Sequence, residues 1–345
     1  MAASGPQLCV IPGDGIGQEV IPAAVEVLRA VLPGLVVTEA EAGWECFLRR
    51  GVSVPPETLA AIRGCRAALF GAVSSPARKV EGYRSAIITM RQELDLYANL
   101  RPVRSLPGVS PRSDVNLLVV RENTEGLYAG RERLEGPDTA IAERVITRQA
   151  CQRLALRAVE LLRVPGARSP RRLTIVHKAN ILPLTDGLFR DTVRAVLADA
   201  CQSGLEVEVE ELLVDIAALK LVAEPERFDV IITTNLFGDI LSDEAAYWCG
   251  GMGLAPSLNW GEGVALAEPV HGSAPDIAGQ GIANPIAAVL SAALLARYSW
   301  GQVSVAERIE ASVSAALAQD LPTQQAGLVK SNSTAMITQA ILARL

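Results

Sequence analysis

Hydrophobic positions along this chain fall into two alternating patterns. Short, nearly unbroken apolar runs, closed by turn or polar residues, occur at QLCVI (7–11), RAALFGAV (66–73), VNLLVV (115–120), RLTIVH (172–177) and FDVIITT (228–234). Runs of that length, rich in Val, Ile and Leu, predict strands buried on both faces. Between them the period lengthens. Val20, Ala24, Val27, Leu28 and Val31 share one helical face, and Phe189, Val193, Val196 and Leu197 share another. Strands that alternate with helices predict an α/β fold with a largely parallel sheet. Pro- and Gly-rich breaks fall at 101–114 and 164–172, the first a candidate hinge between domains. The chain's 345 residues allow roughly two domains.

Composition narrows the function classes. Half the residues are hydrophobic, enough for a sizeable core. Net charge is −6, no basic block stands out, and aromatics make up 4%, so neither a nucleic-acid footprint nor a base-stacking platform is expected. The N-terminal stretch has no charged n-region or apolar h-region, and IAAVLSAALLA (286–296) is too short to cross a bilayer. A cytoplasmic protein without membrane or nucleic-acid partners is the expectation. Six cysteines at 9, 46, 65, 151, 201 and 249 form no C-x-x-C pair and read as reduced thiols. With only His177 and His271, any metal is expected to be a hard cation held by carboxylates.

Two glycine-rich stretches compete for a nucleotide. IPGDGIGQEV (11–20) has glycines at 13, 15 and 17, a G-x-G-x-G spacing rather than the G-x-G-x-x-G of dinucleotide folds. A tight strand-to-helix turn fits it better. EPVHGSAPDIAGQGIANP (268–285) is long, small-residue-rich and carries Asp276. Its backbone amides suit a pyrophosphate, and its carboxylate suits ribose hydroxyls while repelling a 2′-phosphate.

The candidate chemistry is acidic and cationic. Asp239 and Asp243, four apart after a strand, share a helical face and suit Mg²⁺ or Mn²⁺. Equally, Asp239 reads as an N-cap and Asp243 as a first-turn carboxylate. Arg91, Arg101 and Arg121 can clamp carboxylates bidentately. Tyr128 and Lys178 can form an acid/base pair if the lysine is desolvated or flanked by cations, or can be a packed aromatic and a solvated amine.

Taken in order, GDGIGQEV, LYANLRPVRS, RENTEGLY, HKANILPLTDGLF, TTNLFGDILSDEAA and EPVHGSAPDIAGQGIANP resemble the β-decarboxylating dehydrogenases, the family of isocitrate, 3-isopropylmalate, homoisocitrate and tartrate/D-malate dehydrogenases. The motifs span essentially the whole chain. The resemblance implies a two-domain α/β fold, not a Rossmann fold, with a large mixed, mostly parallel sheet. It implies a large domain from 1–100 and 250–345 with the NAD-binding loop, a small domain from 101–249 with the dimer interface, and an active site in the cleft between them. It implies a homodimer or tetramer with shared sites.

By the same resemblance, Arg91, Arg101 and Arg121 clamp a 2-hydroxy tricarboxylate, and Asp239 and Asp243 hold Mg²⁺ or Mn²⁺ with Asp215 of a second copy. Tyr128 and a second copy's Lys178 are the acid/base groups. Asn180, Val73, Ser74 and Ser75 lie near nicotinamide or substrate. Gly272, Ser273, Ala274, Pro275, Asp276 and Asn284 contact the adenosine half of NAD. The family more often has Met where Leu219 stands, but Asp215 is kept.

Substrate choice is expected one turn before Arg91, at Ile87 and Ile88, with Arg84 a further turn back. The apolar pair preceded by Arg rather than an acid, with RENTEGLY in place of a Leu-Thr-Gly-Gly pattern, resembles the homoisocitrate branch. That branch oxidatively decarboxylates homoisocitrate in lysine biosynthesis through α-aminoadipate. Isocitrate, 3-isopropylmalate or mixed specificity are the alternatives. A silent regulatory subunit would have lost a metal Asp, the Tyr or the Lys, and all are present.

Overall fold

A computed structural model describes residues 5–78, 80–164, 170–319 and 332–345, so much of the break at 164–172 lies outside the described residues. The strands, in chain order, are β1 (Gln7–Gly13), β2 (Val36–Glu39), β3 (Ala67–Ala72), β4 (Ala98–Arg104), β5 (Asn116–Glu122), β6 (Glu132–Leu134), β7 (Ala140–Ala142), β8 (Arg171–His177), β9 (Val207–Leu213), β10 (Val230–Thr233), β11 (Pro256–Trp260) and β12 (Ala265–Pro269). The helices are α1 (Gly17–Val31), α2 (Trp44–Arg50), α3 (Pro56–Cys65), α4 (Ala86–Glu93), α5 (Arg148–Arg163), α6 (Thr185–Gln202), α7 (Val214–Ala223), α8 (Asn235–Ala245), α9 (Ile286–Leu294), α10 (Val303–Gln319) and α11 (Thr334–Leu342). All five apolar runs are strands: β1, β3, β5, β8 and β10.

The chain divides into two compact units. The first comprises Met1–Leu96, Ser105–Ser113 and Ala246–Leu345. Its strands run in the order β2-β1-β3-β12-β11. All neighbours are parallel except β11 and β12. Cys9, Ile11, Ala68, Phe70, Met90, Leu96 and Leu266 share one core. Helix α1 covers β1 and β3 with Val20, Ala24, Val27 and Leu28 fully buried, as the helical period predicts. Helix α9 is buried on every side, which is why its sequence is apolar all round.

The second unit comprises Tyr97–Arg104 and Asp114–Ala245, in strand order β4-β5-β10-β8-β9. Only β4 and β5 are antiparallel in that run. Strands β6 and β7 form a separate antiparallel pair. Phe189, Val193, Val196 and Leu197 of α6 are buried, and α6 packs on α5. The stretch from 101 begins as strand rather than loop: Arg101 to Arg104 complete β4, and Pro102 sits opposite Leu118. Both units are mixed and mostly parallel, and neither strand order is that of a Rossmann fold.

Candidate active site

The first unit builds a braced loop. Strand β1 ends at Gly13, and the chain reverses through Gly13 (φ +73°) and Gly15 (φ +55°), a region that glycine enters without strain. A Cβ on Gly15 would lie 2.1 Å from the Ser273 carbonyl oxygen. Ile16 N donates to that same oxygen at 2.9 Å. The buried Asp14 carboxylate accepts from Trp44 N (2.8 Å) and Glu45 N (3.0 Å), capping α2 from a distance, and from Ser74 N (2.8 Å). The G-x-G-x-G stretch is therefore a structural turn that props other loops. Asp14 and Glu19, which accepts from Gly279 N at 2.6 Å, escaped the sequence reading. Their partners are too distant in the chain for any local pattern to reveal.

Residues 270–285 between β12 and α9 have no regular structure. Ser273 is buried and accepts from Ser74 Oγ at 2.8 Å, while Gly272, Pro275 and Asp276 are exposed. Ala274 is held at φ +39°, unusual for a residue with a side chain. Among the described residues none accepts from the amides of Gly272, Ser273, Ala274 or Asp276. Gly272 has open space where a Cβ would be. Exposed small residues with available amides fit a nucleotide. Asn284 Oδ1 accepts from Ile286 N at 3.0 Å and so starts α9. Val73 is half-buried and Ser75 exposed just after β3, and Tyr83 Oη donates to the Ser74 carbonyl at 3.1 Å. Buried Arg91, in the last turn of α4, binds Glu268 Oε1 at 2.9 Å, and Asn259 Nδ2 donates to that oxygen at 2.8 Å. Ile88 is half-buried one turn earlier, and exposed Arg84 donates to Gln92 Oε1 at 3.0 Å.

The second unit gathers five predicted residues. Arg101 lies on β4, Arg121 on β5, Tyr128 on a short turn of 3₁₀ helix (Leu127–Ala129), and Asp239 and Asp243 on α8. Asp239 accepts from Arg121 Nη1 and, through its other oxygen, from Tyr128 Oη. Arg101 reaches Asp239 at 3.3 Å and Asp243 at 2.6 Å. Arg121 also holds Asn235 Oδ1 from Nε (3.1 Å) and Nη2 (2.7 Å), and its guanidinium lies 5.2 Å from the Tyr128 ring centre. Gly238 makes this possible: a Cβ there would fall 2.5 Å from Arg121 Cγ. Burial, then the Asp239 carboxylate, push the Tyr128 phenol up, so it keeps its proton at neutral pH. Burial also raises Asp243, outweighing Arg101. Helix α8 begins at Asn235, so Asp239 is not an N-cap and Asp243 is not in the first turn. Both face the arginines from inside the helix. Two hard, partly desolvated carboxylates one turn apart suit a divalent cation.

Lys178, just past β8, pairs through Nζ with Asp215 in the first turn of α7, and that pairing holds the Asp215 carboxyl below the usual range. Asn180 is exposed two residues on. Asp215 does not join Asp239 and Asp243: no group of three His, Cys, Asp or Glu side chains able to hold a metal occurs among the described residues.

The sequence matches the family described as isocitrate/isopropylmalate dehydrogenase over residues 7–341. It is 52% identical over 339 residues to the isocitrate/homoisocitrate dehydrogenase of Thermus thermophilus, covering 98% of each chain. It is 45% identical over 322 residues to a 3-isopropylmalate dehydrogenase of Methanothermobacter thermautotrophicus, covering 93% of each. The crystal structure of isocitrate dehydrogenase from Methylococcus capsulatus superposes with a TM-score of 0.89 at 39% identity, covering 98% of each chain.

Proposed function

Because this chain belongs to the isocitrate/isopropylmalate dehydrogenase family, and so is a decarboxylating dehydrogenase acting on a small hydroxy acid, we propose that it oxidises homoisocitrate with NAD⁺ to 2-oxoadipate and CO₂. The observation that carries the reading is the cluster of Arg101, Arg121, Tyr128, Asp239 and Asp243. Its two arginines already bind carboxylates, and in turnover they exchange those of α8 for those of the substrate, joined by Arg91. Asp239 and Asp243, with Asp215 of a second copy, hold Mg²⁺ or Mn²⁺. When bound, that cation supplies Lewis acidity at the 2-hydroxyl and at the charge left by decarboxylation. Gly272 to Asp276 and Asn284 hold the adenosine half of NAD. The exposed Asp276 carboxylate favours free ribose hydroxyls over a 2′-phosphate. Val73, Ser74 and Ser75, and separately Asn180, would contact the nicotinamide half when NAD is bound.

Lys178 of a second copy would take the hydroxyl proton, with the hydride of the same carbon passing to NAD⁺ when it is bound. Tyr128, kept protonated, gives its proton to the carbon that lost CO₂. A homodimer, or a tetramer built from it, is supported by the apolar surface of two helices that pack on each other. Ile216, Leu219 and Val222 of α7 and Ile240 of α8 are all exposed, Leu219 by 64%. Four of the six thiols are buried, which fits a reducing cytoplasm, and no described helix is long and apolar enough to cross a membrane.

Mixed isocitrate and homoisocitrate use is the second reading, favoured by the relative named for both. Steady-state kcat/KM for homoisocitrate, isocitrate and 3-isopropylmalate, each with NAD⁺ and NADP⁺ and with and without a chelator, tests all of this together. Homoisocitrate with NAD⁺ is expected to lead, and chelation to abolish turnover until Mg²⁺ or Mn²⁺ is restored. Preference for another acid replaces the substrate, equal use of NADP⁺ removes the role of Asp276, and full activity under chelation removes that of Asp239 and Asp243.

A further inference from the structure

The main chain of Lys178 is held as firmly as its side chain. Its amide donates to Asp186 Oδ2 at 2.6 Å, and its carbonyl accepts from Ile181 N (3.0 Å) and Leu182 N (2.9 Å). Asp186 stands in the first turn of α6, and its side chain is wholly buried. Its other oxygen pairs with Arg144 Nη1. Arg144 donates further to Thr185 Oγ1 at 3.2 Å and, from Nη2, to Thr234 Oγ1 at 2.9 Å. The guanidinium lies 5.1 Å from the ring centre of Phe237. Thr234 immediately precedes α8 and Phe237 is in its first turn.

A carboxylate with no solvent contact is tolerable only while its partners stay in place, because losing one leaves a buried charge uncompensated. Asp186 therefore acts as a stiff joint. One oxygen fixes the first amide beyond β8. The other is locked to an arginine that also grips the start of α8. The point from which Lys178 reaches outward is tied to the helix that carries Asp239 and Asp243. Asp186, Arg144, Thr185, Thr234 and Phe237 have no part in the proposed turnover scheme.

We propose that Asp186, held by Arg144, is a positioning residue for the reaction: it sets the main chain of Lys178, and its loss reaches turnover through that lysine. The inference rests on Lys178 being an acid/base group. A misplacement of such a group by a fraction of an ångström to an ångström costs up to about 100-fold in rate. Asp186→Asn is expected to lower kcat about 10- to 100-fold. KM for the hydroxy acid and for NAD⁺ should stay nearly constant, and the amide of Lys178 should exchange faster with deuterium.

The deciding measurement is a double-mutant cycle in kcat between Asp186→Asn and Lys178→Ala. If Asp186 acts through Lys178, adding Asp186→Asn to Lys178→Ala lowers kcat little further. If the two losses multiply, Asp186 serves the fold or another group and the proposal fails. Should Asp186→Asn not fold, Arg144→Lys keeps a cation beside the buried carboxylate and carries the same cycle, with a smaller loss expected and the same criterion. A Lys178→Ala enzyme with undiminished kcat overturns the acid/base assignment itself, and that single variant distinguishes this failure from the other.

Discussion

At the end of β5 two adjacent charged residues do unrelated work. Arg121 spans α8, while Glu122 turns the other way into the protein and is buried. Its Oε1 accepts from Thr124 N and Thr124 Oγ1, both at 2.8 Å, and its Oε2 accepts from Glu125 N at 2.9 Å. These bonds close the loop that delivers Tyr128. They do not fully offset desolvation, and the carboxyl is raised above its ordinary value of 4.5. A group with a raised pKa in the folded state contributes stability below its unfolded pKa and loses it as pH rises through the folded pKa. Glu122→Gln cannot titrate, so the melting temperature of the wild type relative to this variant is expected to fall as pH rises above the ordinary glutamate value of 4.5. Parallel Tm curves for the two proteins would show that Glu122 does not titrate differently on folding. Arg101, Arg121, Tyr128, Asp239 and Asp243 were legible as candidates from their residue types, and the structure brings them into one cluster. Glu122, Asp14 and Asp186 were not, because only burial distinguishes them from surface carboxylates.

Elements were legible where one physical signal dominated. The five apolar strands and the α1 and α6 faces stand where periodicity puts them. Strand β4 was hidden because ANLRPVR mixes two arginines and a proline into a mostly buried segment, and one of those arginines, Arg101, binds the carboxylates of α8. The turn after β1 is the clearest case of an element whose role lies elsewhere. Its glycines do not bind phosphate in this reading; they let the chain approach the 270–285 loop. Gly15→Ala would have to accommodate a positive φ and a Cβ 2.1 Å from Ser273 O. The strain is expected to cost about 1–3 kcal/mol in chemical denaturation. Relief by displacing the Ser273 backbone should also raise KM for NAD⁺ while leaving kcat nearly unchanged. A destabilised Gly15→Ala protein with an unaltered KM for NAD⁺ would mean that this loop does not hold the nucleotide.

At the scale of the whole molecule, a single chain has the two proposed acid/base groups in separate places. Tyr128 lies with Asp239, whereas Lys178 is paired with Asp215. No three-carboxylate metal group forms among the described residues of one chain. The helix that carries Asp215 also bears the exposed Ile216, Leu219 and Val222, and α8, which carries Asp239 and Asp243, exposes Ile240. Burying those side chains against a second copy stabilises association by roughly 25 cal/mol per Å² of apolar surface removed from water, before the entropic cost of association is deducted. The proposed sharing of sites requires the same docking to bring Asp215 and Lys178 of one copy toward the other. If sites are shared in that way, Lys178→Ala and Asp239→Ala homodimers are both inactive, each for a different reason. In a mixed dimer, one site receives Asp239 from the first protomer and Lys178 from the second, both intact, while the other site lacks both. Mixed dimers isolated by two different affinity tags should therefore recover about half the wild-type kcat per dimer, with wild-type KM, because one normal site in two is restored. Two sites each complete within one chain would instead leave the mixed dimer as inactive as its parents, and Lys178 and Asp215 would have to reach Asp239 by a rearrangement within the protomer.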